Sequence, residues 1–132
     1  MLSLVLKIQM LNLKSEFMTE DGSKVDYNKM KSSEIFLNYV ENTTKLPYVK
    51  LENLTLNEKK AFFLNIYNSL VLHAIATGLF KVDWKGMTLC RLILYATASY
   101  NIGGEIYSLN DIENGILRNN RVSAVPYTNK PF

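Results

Sequence analysis

Two asparagines three residues apart, Asn65 and Asn68, lie inside the apolar run NEKKAFFLNIYNSLVLHAIATG, which extends from Asn57 to Gly78. A carboxamide both donates and accepts hydrogen bonds, so in apolar surroundings it must find partners; leaving it unpaired costs about 1–3 kcal/mol. At 3.6 residues per turn the pair falls roughly 60° apart on one helix face. Small Ala61 and Ala76 on that face let another backbone come close. Such amides either clip a hairpin or loop in place or orient a ligand and hold an oxyanion. An acid, Glu113, sits in a later apolar stripe with Leu109, Ile116 and Leu117. Facing a core, it is a candidate general acid or base, or else a structural carboxylate holding loop amides or an arginine. The expectation is that Asn65, Asn68 and Glu113 converge on one polar pocket beside a hairpin at Gly103-Gly104.

The remaining reactive residues give weaker signals. His73 is the only histidine and shares its helix side with Phe62, Ile66 and Ser69, with no orienting acid nearby in the sequence. It reads as a satisfied boundary imidazole more than a catalytic one. Pairing it with Cys90 as base and nucleophile is unsupported, since an apolar run silences a thiol. One histidine and one cysteine without spaced acids make no metal site, and no cofactor is implied. Gly103-Gly104 lacks the glycine spacing and lysine of a phosphate loop. Tyr67 falls with Phe63, Leu70 and Ala74 and is expected in the core with its hydroxyl at a boundary. Arg118, opposite Glu113 on its helix, is expected to be exposed or to hold the following loop.

These residues need elements to position them. Residues 2–13 fit both periods: Leu2, Leu4, Leu6, Ile8 and Met10 alternate, while Leu6, Met10, Leu13 and Phe17 form a helical stripe. Helix is the preferred reading. Asp21-Gly22 marks a turn, and Ser33 starts a helix with Ile35, Phe36, Tyr39 and Val40 on one side, ended by Pro47. Thr55 and Glu58 form a capping box, and Gly78 closes the long helix about 22 residues later. Apolar nearly all round, that helix is central. Leu79 to Gly86 reads as loop and Thr88 to Tyr95 as a short helix. Gly103-Gly104 between Tyr100–Ile102 and Glu105–Tyr107 predicts a hairpin. Ser108 with Asp111 then caps a helix from Leu109 to Arg118, and RNNRVSAVPYTNKPF has turn composition.

With 132 residues and 48% hydrophobic content the chain fits one globular domain. A net charge of +3 with scattered lysines gives no stripe for a nucleic acid backbone, so no nucleic acid partner is expected. The run LSLVLKIQMLNL lacks a basic leader and a cleavage site. The stretch from Ala61 to Ala76 falls short of the roughly 20 apolar residues that cross a bilayer, so no membrane partner is expected either. The lone cysteine excludes an internal disulfide and points to the cytoplasm.

The spacing from NEKKAFFLNIYNSLVLHA through YNIGGEIYSLNDIENGILR, with DGSKVDYNKMKSSEIFLNYV upstream, resembles the family called domain of unknown function 547. The resemblance runs from about Leu11 to Phe132 and fits poorly from Thr88 to Ser99. It implies little about activity. Its members usually continue past the segment resembling NKPF into a stretch with a histidine followed by cysteines. The resemblance therefore implies a single, incomplete domain over residues 1–132. The fold expected is α+β, helix-dominated, with a long central helix and a small antiparallel β-hairpin. The function expected is a non-catalytic scaffold or protein-interaction module, with a protein partner or self-association through uncovered apolar surface. The alternative is an enzyme of hydrolytic type whose reactive histidine and cysteine segment lies beyond Phe132.

Overall fold

The N-terminal run satisfies two periods at once, and packing decides between them. In the computed structural model, which describes residues 2–77 and 95–118, Leu2–Phe17 form the first helix, α1. Leu6, Met10 and Leu13 are buried along one face, whereas Leu4 and Ile8, which a strand would have placed with Leu6, stay exposed. At the Asp21-Gly22 turn Gly22 takes φ +73° and donates its N–H to the Thr19 carbonyl at 2.8 Å. Helix α2 (Tyr27–Lys31) is capped by Asp26, and α3 (Glu34–Thr43) by Ser33, whose Oγ accepts the Phe36 N–H at 3.1 Å.

The inner face of α3 is narrower than expected. Phe36, Tyr39 and Thr43 are buried, Val40 is half-buried and Ile35 is exposed. Pro47 is not what ends α3. The helix stops at Thr43, where the Thr43 and Thr44 hydroxyls return to the carbonyls of Val40 and Glu41, each at 2.6 Å. Pro47 instead opens a short 3-10 turn, Leu46–Tyr48, a position that needs no N–H from it. A second such turn, Leu51–Asn53, leads into α4.

Helix α4 (Leu56–Ala76) is the centre of the fold. Thr55 Oγ1 accepts the Glu58 N–H at 3.2 Å, as a cap should, but the Glu58 carboxylate takes the Thr55 hydroxyl at 3.1 Å and not the Thr55 amide. At the other end the helix finishes at Ala76 with Thr77 as its cap. Helices α1 and α2 and the segment Asp111–Leu117 all pack against α4, burying Phe62, Phe63, Ile66, Leu70 and Leu72. The stripe Asn57, Ala61, Leu64 and Asn68 faces out.

Strands β1 (Ser99–Ile102) and β2 (Glu105–Ser108) form the hairpin, pairing Tyr100 with Tyr107 and Ile102 with Glu105. Gly103 and Gly104 have φ of +61° and +96°, the positive pair that a two-residue turn requires. The tip is docked: Gly103 donates its N–H to the Leu46 carbonyl at 3.0 Å. Beyond Ser108 the expected α-helix is in fact π-helical over Asp111–Leu117. Its i→i+5 turns shift which side chains face inward, so Asp111, Ile112, Asn114 and Gly115 are buried and Glu113 is only half-buried.

The result is a helix-dominated α+β fold with a long central helix and a two-stranded antiparallel sheet. Gly78, Cys90, the loop read at 79–86, most of the short helix read at 88–95 and the tail from 119 lie outside the described residues. Among the described residues no helix is long and apolar enough to cross a membrane.

The hairpin tip yields a graded prediction. A Cβ on Gly103 would sit 2.8 Å from the Val49 carbonyl oxygen, while one on Gly104 meets nothing within 4 Å. Both substitutions force a left-handed residue, at about 1–2 kcal/mol. In urea titrations Gly103→Ala should therefore lose clearly more stability than Gly104→Ala; equal losses would show that the tip is not seated on Val49.

Candidate functional site

The three residues singled out from sequence fall on neighbouring elements but not in one buried cluster. Asn68 is exposed, and Asn65 and Glu113 are half-buried. Among the described residues no hydrogen bond joins any two of them. Because the side chain of Asn68 reaches water, the argument that a buried amide must find partners does not apply to it.

Buried polarity on this side of the fold belongs to the residues flanking Glu113. The Ser108–Asp111 capping box is formed in both directions: Asp111 Oδ2 accepts the Ser108 N–H at 3.0 Å, and Ser108 Oγ accepts the Asp111 N–H at 3.1 Å. Asn114 donates to Asn110 Oδ1 at 2.9 Å, and exposed Arg118 donates to Asn114 Oδ1 at 3.4 Å. The second carboxylate oxygen, Asp111 Oδ1, is buried without a hydrogen-bond partner. Tyr67 is half-buried and donates its hydroxyl to Tyr95 at 2.8 Å, the boundary position expected of it.

The chemistry that can be assembled atom by atom lies around His73. Its Nδ1 is hydrogen-bonded to the Tyr100 hydroxyl at 2.7 Å. Tyr39, fully buried on α3, donates to the Ser69 carbonyl of α4 at 2.6 Å. A carbonyl can only accept, so the Tyr39 proton is committed to Ser69. The Tyr100 hydroxyl can donate to His73 Nδ1 or accept from it, and the tautomer of the neutral ring follows the direction of that bond.

The rings around His73 reinforce this arrangement. Phe36 meets the imidazole edge-on, with centroids 5.8 Å apart, and Tyr39 lies at the same distance. Burial pushes the His73 pKa below its ordinary value, since the surrounding rings replace the water that would solvate an imidazolium. Desolvation also pushes the Tyr39 phenol up to about 12 and Tyr100 well above the usual phenol range. All three groups are neutral at pH 7.

One side of this network opens on a pocket of about 440 Å³ between the end of α4 and β1. Leu70, Ala74 and Ala98 form its apolar wall, and His73, Thr77, Thr97, Ser99 and Tyr100 supply the polar one. Among these described residues none carries a formal charge. The pocket can seat a group that has both apolar and hydrogen-bonding surface.

Sequence reading placed His73 on the right element but had no partner for it. The alternation of Tyr100 and Ile102 toward one face of β1 was available as a signal. That Tyr100 meets His73 and Tyr39 follows only from tertiary packing.

Residues 51–132 match the family described as "Protein of unknown function, DUF547". That span includes every described pocket residue but not Tyr39, and it starts well after Leu11. No curated protein and no solved structure matches the chain.

The lowered His73 pKa has a definite sign for stability. An unfolded histidine protonates near 6.5 and the folded one at lower pH, so the unfolded state gains the extra proton first as pH falls. Stability is therefore lost between about 6.5 and the folded-state pKa, and the loss stops below it. Because His73 is the only histidine, denaturation of wild type and His73→Gln from pH 7.5 to 5 isolates the effect. Wild type should lose more stability than the variant over this range; a smaller loss would mean that the folded imidazole prefers the proton.

Proposed function

The chain belongs to the DUF547 family of proteins of unknown function, and from that premise we propose that it acts as a non-catalytic binding module whose His73 pocket receives an uncharged group of its partner. The observation that carries this reading is the lining of the pocket. Hydroxyls and a neutral imidazole stand beside Leu70, Ala74 and Ala98, with no formal charge among the described residues. Among the described residues a charged ligand would find no counter-charge, whereas an uncharged one keeps hydrogen bonds and buries apolar surface. The single cysteine favours a reducing compartment such as the cytoplasm.

A second reading, a hydrolase acting through the same pocket, has one observation behind it. A neutral imidazole keeps one bare ring nitrogen, the state a general base requires, and hydroxyls line the same pocket. Against it, burial makes the imidazole a weaker base, and no carboxylate takes part in the hydrogen bonds that orient it.

Two measurements separate these readings. Phenol titrated into labelled protein should shift the amide resonances of Ala74 and Ala98, and Ala98→Phe, which fills the pocket, should abolish the shifts. Hydrolysis of p-nitrophenyl acetate should be no faster than with His73→Gln. Turnover that depends on His73 would replace the module by an enzyme, and phenol shifts that survive Ala98→Phe would remove the pocket from the account.

A further inference from the structure

Helix α1 is apolar on two sides, and the fold covers only one of them. Leu6, Met10 and Leu13 are buried, while on the outer side Leu4 is 48% exposed and Ile8 and Leu11 are each 51% exposed. These three stand at i, i+4 and i+7, so they share one outward stripe about 10 Å long. Val5, also exposed, widens it. A helix that is hydrophobic all round is normally buried all round. No α1 residue lines the His73 pocket, and α1 lies before the matched span 51–132, so this surface is separate from the site described above.

The two edges of the stripe differ in charge. Lys7 and Lys14, two turns apart, line one edge, and among the described residues neither forms an ion pair. On the other edge Gln9 accepts a hydrogen bond from Asn42 of α3 at 3.0 Å. Glu16, the one acid of the helix, shares that edge with Gln9.

We propose that the outer face of α1 docks an amphipathic helix of a partner protein, with apolar side chains against Leu4, Ile8 and Leu11 and acidic ones against Lys7 and Lys14. The spacing of the three apolar residues is that of a helix seam packed knobs-into-holes, at a crossing of about 20°. In such a seam Lys7 and Lys14 hold the flanking position that pairs with glutamate on the facing helix. A second copy of α1 supplies no such acid. Antiparallel, it sets Lys7 against Lys14; parallel, it sets Lys7 against Asn12. A bilayer surface fits less well. A helix that lies in the lipid interface carries a strongly basic polar face, whereas here one edge holds Gln9 and Glu16 and meets α3.

The test uses the whole chain and two synthetic peptides of three heptads, both with isoleucine at a and leucine at d. One carries glutamate at every e and g position, the other lysine. The glutamate peptide should bind roughly 10-fold or more tightly than the lysine peptide at low salt, and the gap should close at high salt. Ile8→Ser changes an exposed side chain, so the fold should persist while binding of the glutamate peptide falls roughly 10-fold. Lys7→Glu combined with Lys14→Glu should reverse the preference between the peptides, a result that loss of folding cannot produce. Equal binding of the two peptides, or binding unmoved by Ile8→Ser, would overturn the proposal. So would a dimer of the free chain in sedimentation equilibrium that Ile8→Ser dissociates, which assigns the face to a second copy. Uptake on phosphatidylserine vesicles that Ile8→Ser abolishes would assign it to lipid and overturn the proposal as well.

Discussion

The hydrogen bond from the Tyr39 hydroxyl to the Ser69 carbonyl fixes more of this molecule than its single contact suggests. A helical carbonyl keeps a second lone pair after its bond within the helix, and Tyr39 uses that of Ser69 at 2.6 Å. The bond ties α3 to the middle of α4 across 30 residues of sequence. A carbonyl cannot donate, so the bond also fixes the direction of the Tyr39 proton. Without it the phenol of a fully buried tyrosine would lack an acceptor, at about 1–3 kcal/mol.

Packing and polarity serve the same arrangement. Helix α4 is surrounded by α1, α2 and the π-helical segment, so its position is set by apolar contacts before any hydrogen bond selects a rotamer. The hairpin brings Tyr100 to His73 because its tip is fastened to the 3-10 turn at Leu46 and its far end to the π-helical segment through Ser108 and Asp111. Two fastenings hold the hairpin whose Tyr100 meets His73. The buried, unpartnered oxygen of Asp111 stands within one of them.

What was legible in the sequence was local. Thr55, Ser33 and Ser108 announce helix starts because a side-chain oxygen near a free amide needs no distant partner. Gly103-Gly104 announces the turn because only glycine takes two successive positive φ values cheaply. The π-helix was not legible: Leu109 to Leu117 satisfies an α-helical stripe, and the change to i→i+5 bonding exchanges the half-buried Glu113 for its neighbours Asp111 and Asn114. Asn65 and Asn68 drew attention by contrast with their apolar neighbours, yet contrast in sequence does not say which strip of a helix faces out. His73 was visible as a residue and invisible as a site, since its partners lie 27 residues downstream and on a different helix. Side-chain relays of this kind join elements that no local pattern links.

The central claim is that the Tyr39 hydroxyl clamps α3 to α4 at the Ser69 carbonyl. Urea denaturation of wild type and Tyr39→Phe reads this directly, because the substitution removes only the hydroxyl. The account predicts a loss of about 0.5–1.5 kcal/mol in the variant. Equal stability of the two proteins would contradict it.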